Sequence, residues 1–178
     1  AVMKRVNKEG PALLNAATIP PTLPINEYAT AVESGTVIDL TPSQEYAKSH
    51  PCGAINIPLS MLASWAGWVV DYSLPVYLIA SPDQLSEASR ILRKIGLDGI
   101  AGCFDRSAVE RSTLLMESYE NHSADELAAK IQAGQVNLID VRSDEEWKSG
   151  RIAGADHRFL GRLPDNMSNI ENSKPIVT

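Results

Sequence analysis

The sequence predicts an α/β fold: a parallel sheet flanked by helices, built as one complete unit and the first half of a second. Three observations predict it. Apolar strand-like runs alternate with stretches of helical spacing, the pattern that lays helices on both faces of a parallel sheet. The run PVYLIA at 75–80 is apolar throughout rather than alternating, which suits a strand buried on both faces. The third is recurrence: VNLIDVRSDEEWKSGRIAGADHRF at 136–159 has a weaker copy, TVIDLTPSQEYAKSHPCGAINIPL, at 36–59. At a constant offset (140 − 39 = 101 positions) Asp39 meets Asp140, and likewise Ile38 meets Ile139, Glu45 meets Glu146, Tyr46 meets Trp147, Gly53 meets Gly154 and Ala54 meets Ala155. An offset held over about 18 residues argues for two copies of a unit of roughly 100 residues.

Each element has a local reason. Residues 1–23 are rich in Pro and Gly with little periodicity and read as an extended arm. Asn26 is placed to cap a helix through Val32 that stops near Gly35. A strand at 37–40 follows, then a short helix carrying Tyr46, a turn at Gly53 and a strand at 54–57. After the 75–80 strand, Leu85, Ala88, Ile91, Leu92 and Ile95 share one face of a helix over 84–95 that ends at Gly96. A last strand is expected at 100–102, closing a first unit over 24–105. Residues 106–121 read as a joining segment. The second unit, 122–178, opens on a Ser123–Glu126 capping box and a helix over 124–133, stopped by Gly134. A strand at 136–141, a short helix with Trp147 and a strand beginning at 174–178 complete the reading.

Bulk numbers exclude some functions. With a net charge of −6 and pI near 5.1, the chain lacks the basic face nucleic acid requires. No apolar run reaches the ~20 residues of a transmembrane helix, and no signal-peptide pattern opens the sequence. The first residue is Ala, consistent with a cut inside a longer chain. Cys52 and Cys103 form neither a disulfide framework nor a zinc pattern, so a cytoplasmic setting is expected. His50, His122 and His157 have no partner at metal-ligand spacing, and neither metal nor cofactor is expected in this chain.

The residues LIDVRSDEEWKSGRIAGA resemble the entry motif of rhodanese domains: Asp-Val-Arg, an acidic or aromatic helix, then Gly-His-Ile-Pro-Gly-Ala. Arg151 stands where that family has His and Ala153 where it has Pro. In the first copy Thr41 replaces the Arg, Cys52 takes the Pro position and His50 keeps the His. The stretches MKRVNKEGPALL at 3–14 and WAGWVVDYSLPVYLI at 65–79 are similar to bacterial fusions in which a metallo-β-lactamase-fold domain of the persulfide dioxygenase kind precedes tandem rhodanese units. That resemblance implies a metallo-β-lactamase-fold partner domain in the same polypeptide and a role in sulfane-sulfur metabolism.

The family's nucleophile is a Cys at the end of the fourth strand, opening a six-residue loop that leads into a helix. Backbone N–H groups there would hold a thiolate or persulfide, and a closing Arg would add positive charge. In the first copy this loop falls on Ala80, Ser81, Pro82, Asp83, Gln84 and Leu85, with neither thiol nor cation. Its catalytic silence follows. In the second copy the matching Cys position falls one or two residues beyond Thr178, so no catalytic residue is assigned within the chain. Asp39 and Asp140 are expected to cap the turn after their strands, and Arg142 to anchor the loop region by hydrogen bonds. Cys52 and Cys103 are read as packing residues. Trp65, Trp68 and Tyr72 are read as core or inter-domain packing, with a peptide-binding aromatic surface as the rival.

The leading expectation is a non-catalytic rhodanese-like module of a sulfur-handling protein. The alternative is a thiosulfate or persulfide sulfurtransferase with its Cys just past Thr178. A phosphatase or arsenate reductase on the same fold would need a longer loop, and a pure scaffold would form a homo-oligomer through Trp65 and Trp68.

Overall fold

A computed structural model of the chain describes residues 19–171 and 173–178. The expectations for residues 1–18 therefore lie outside the described residues. After a 3-10 turn at Ile25–Glu27 comes α1 (Tyr28–Ser34), then β1 (Thr36–Asp39), α2 (Ser43–Lys48), β2 (His50–Pro51) and β3 (Ala54–Asn56). A second 3-10 turn, Leu59–Met61, leads into α3 (Leu62–Val69), followed by β4 (Val76–Ala80), α4 (Pro82–Lys94), β5 (Ile100–Asp105), α5 (Arg106–Glu110) and β6 (Met116–Glu117). The remaining elements are α6 (Ala124–Gln132), β7 (Asn137–Asp140), α7 (Asp144–Ser149), β8 (Asp156–His157), α8 (Leu163–Asn166) and β9 (Ile176–Val177).

The first sheet is parallel, in the order β3-β1-β4-β5. Side chains alternate across it because successive strand residues point to opposite faces. Val76, Leu78 and Ala80 join Ile38 and Leu40 in one core beneath α3 and α4. Tyr77, Ile79, Val37 and Phe104 meet Tyr28, Ala31 and Val109 on the other face. This is why 75–80 is apolar at every position. A second, smaller parallel arrangement has the order β8-β7-β9.

Several elements differ from expectation. Asn26 does not cap α1: Glu27 holds that position without a side-chain bond, and the helix runs to Ser34. Gly35 follows with extended backbone, and its small size matters, since a Cβ there would lie 2.3 Å from the Pro75 carbonyl oxygen. The helix α3 carries Trp65 and Trp68, and it is an element for which the sequence pattern gave no expectation. The strand β5 runs on to Asp105, so Cys103 lies within it at 1% exposure. Segments assigned to the arm and the joining segment instead add to the first unit. Leu23 donates to the Cys103 carbonyl and Cys103 to that of Pro21, both at 2.8 Å. Val109 of α5 is 3% exposed, and β6 pairs antiparallel with β2, placing Glu117 opposite His50.

Candidate functional site

The end of β4 is where the resemblance calls for a nucleophile and an anion cradle. Ala80 closes the strand at 1% exposure, its methyl in the core. Ser81 is the N-cap of α4, and Pro82, Asp83, Gln84 and Leu85 are the helix's first turn. The Ser81 N–H and hydroxyl both donate to Gln84 Oε1, at 3.1 and 3.0 Å. Pro at the first helical position fits that geometry. The strand thus passes to the helix through one residue, and the six positions read as a loop form no loop. Leu85 is buried rather than presenting a charge. The cap was legible: Ser81-Pro82 with Gln84 three residues on is a helix-start signature.

Asp39 ends β1 at 4% exposure. Its Oδ1 accepts from the Thr41 N–H at 2.9 Å and from the Thr41 hydroxyl. Burial pushes its carboxyl above the ordinary range, opposed by the Thr41 bonds and by the charge of Arg106. Arg106 was not foreseen. Its guanidinium donates to the Thr41 hydroxyl, to Glu45 Oε2 at 2.9 Å and to Glu110 Oε1 at 2.9 Å. A cation from α5 therefore stands near the place where the motif Arg is missing. Only its i, i+4 spacing to Glu110 was visible in the sequence.

In the second half, Arg142 provides that cation locally. It grips Asp140 with Nε and Nη2 at 2.5–3.1 Å and reaches the Gly150 carbonyl at 2.9 Å. The fork holds the Asp140 carboxyl down, to about 2. Asp140 also accepts from the Arg142 N–H at 3.0 Å.

Aromatic stacks flank both carboxylates. His50 lies on Tyr46 at 3.9 Å between centroids, with its Nδ1 donating to the Tyr46 carbonyl at 2.7 Å. Four residues after Trp147, Arg151 stands over the indole at 5.0 Å, while His157 stacks on the same ring at 4.7 Å. Among the described residues no group of three or more His, Cys, Asp and Glu could hold a metal ion.

Neither cysteine is set up as a nucleophile. Burial pushes the Cys103 thiol up to about 12. Cys52 is raised by the neighbouring Glu117 carboxylate, which also accepts its thiol hydrogen bond. Such surroundings keep a sulfur protonated. No helix among the described residues is long and apolar enough to cross a membrane.

The family model of the rhodanese-like domain matches residues 123–178. A curated relative, the HTH-type transcriptional regulator Rv0324 of Mycobacterium tuberculosis (strain ATCC 25618 / H37Rv), is 36% identical over 52 residues, covering 29% of this chain and 23% of that protein. Among solved structures, a metallo-beta-lactamase from Staphylococcus aureus subsp. aureus COL is 30% identical with a TM-score of 0.46, covering 57% of this chain and 27% of that one. The Alr3790 protein from Anabaena sp. is 19% identical with a TM-score of 0.48, covering 61% of this chain and 96% of that one. The chain spans about a quarter of the length of the mycobacterial and staphylococcal proteins.

Proposed function

We propose that this chain is a tandem rhodanese-like module of a sulfane-sulfur-handling protein whose first unit is catalytically silent and acts as a platform for the second. The single observation carrying the silent role is the end of β4: a buried Ala80, then a capped helix, where a persulfide would need a thiol and an open ring of N–H groups. The tandem reading is supported by elements that recur at the offset of 101. The strand β1 (36–39) matches β7 (137–140), and α2 (43–48) matches α7 (144–149). Gly53 and Gly154 share a left-handed φ of 86° and 85°, as their turns require. The bond from Ile57 N–H to the Asp39 carbonyl recurs from Arg158 to Asp140. The family match over 123–178 supports the chemistry class. A metallo-β-lactamase-fold partner in the same polypeptide, and a reducing cytoplasm as the setting, remain part of the reading on the motifs and the two free thiols.

The test is intact mass after incubation with thiosulfate. The 178-residue chain should stay at 19.3 kDa without gaining sulfur. A persulfide on Cys52 or Cys103 would overturn the silent assignment.

The second reading, a sulfurtransferase, has its own support in strand register. Val177 lies opposite Leu138 as Tyr77 lies opposite Val37, so the counterpart of Ala80 is two positions after Thr178. The same mass measurement on the protein as its source makes it, with the sulfur mapped by peptide, tests this. One sulfur outside Cys52 and Cys103 is the expected result, and a protein that gains none refutes it.

A further inference from the structure

The 101-position offset exposes an asymmetry. Met61, Trp65 and Trp68 lie at i, i+4 and i+7, the spacing of one helix face. Their counterparts are Arg162, Asn166 and Asn169, and Ile55 on the adjoining strand becomes Asp156. Around those counterparts the second half is polar. Asp156 pairs with Arg158 at 2.6 Å, and Arg158 donates to the Asn166 and Asn169 carbonyls at 3.0 and 3.1 Å. If this unit needed an apolar face here in order to fold, both copies would carry one. Trp65 and Ile55 also pack on the first unit's own core, but Met61 and Trp68 lie outside it, and the apolar surface they add serves something else.

The 159–167 segment lies against part of it, leaving Met61 and Trp68 about half exposed. Trp68 meets Phe159 edge to face at 5.6 Å and 82°. Gly161 is pressed so close to Trp68 that a Cβ would come within 2.8 Å of the indole. Met61, Trp65 and Val69 line one side of an apolar cavity of ≈ 520 Å³, and Leu160, Leu163 and Met167 line the other.

We propose that the Met61–Trp65–Trp68 face is a docking surface whose partner is the 159–167 segment of the second unit, which it holds at a fixed place on the first. The inference rests on the tandem reading and gives the silent unit its work. The charged counterpart in the second unit confines docking to one direction, since a face bearing Asp156 and Arg162 offers no apolar seat to another such segment.

The test is limited proteolysis of the whole chain within 118–123, together with its radius of gyration and molar mass by scattering. Trp68→Ala and Gly161→Val should each speed cleavage about three- to tenfold, the equivalent of one edge-to-face aromatic pair, and enlarge the radius. Arg162→Ala, on the polar side, should change neither. Trp68 is 57% exposed, so its removal spares the first core. Unchanged cleavage in both docking variants would overturn the proposal, as would a native chain cut as fast as they are. A native dimer that Trp68→Ala dissociates would also overturn it, reassigning the face to a second copy. Sulfur loading does not read this contact, so failure of the docking and failure of the sulfur-handling reading remain separable.

Discussion

Replacing Arg106 by Met would test how the first unit tolerates the buried Asp39 carboxylate. The change keeps most of the aliphatic stem and removes the charge. Three bonds go, to Thr41, Glu45 and Glu110. The two carboxylate partners are more than half exposed, so each pair contributes only about 0.2–1 kcal/mol. The larger loss is at Thr41, whose hydroxyl links the guanidinium to a carboxylate at 4% exposure. A hydrogen bond in such a charged network contributes about 1.5–3 kcal/mol. The sum is about 2–5 kcal/mol at neutral pH. The sign of the pH dependence follows from the raised Asp39 carboxyl. A carboxyl raised by folding favours the native state while protonated, and that contribution fades as pH climbs through the folded value. Arg106 offsets the cost of ionised Asp39, so its removal hurts most where Asp39 is charged. Urea unfolding of both proteins at neutral pH and again near pH 4, about the ordinary aspartate value, measures this. The difference should shrink by at least about 1 kcal/mol on acidification. An equal loss at both pH values, or one below about 0.5 kcal/mol at neutral pH, would refute the reasoning.

Other outcomes follow from the same geometry. Leu78→Ala, at 0% exposure in the core beneath α3 and α4, should cost about 3–4 kcal/mol by denaturant unfolding. Gly35→Ala should cost about 2 kcal/mol or more because its Cβ would overlap the Pro75 carbonyl, whereas Gly99→Ala, with open space around it, should be neutral or stabilising by up to about 1 kcal/mol. A disulfide reagent at neutral pH should label Cys52 slowly and leave Cys103 untouched until denaturant is added, since burial holds Cys103 up to about 12. Glu117→Gln removes the charge that raises Cys52 and should speed its labelling, most clearly above neutral pH.

How far the sequence reached depended on whether a feature is local. The strand at 75–80, the turn at Gly53 and the cap at Ser123 came from short-range patterns, because turn chemistry and strand burial act over a few residues. The 101-position offset came from identity alone. The extent of the first unit did not, since the pairing of Leu23 with Cys103 and of β6 with β2 joins residues distant in sequence. The loop read at 80–85 failed for a different reason. The resemblance supplied a six-residue loop, while Ser81, Pro82 and Gln84 locally encode a helix start, and the local signal won. Arg106 is the clearest case of what only tertiary structure decides. It lies 65 positions from Thr41, and nothing in its neighbours announces the contact. It takes up beside Asp39 the electrostatic role that Arg142 fills beside Asp140 from two residues away, because a nearby cation favours the charged form of a carboxylate that burial disfavours.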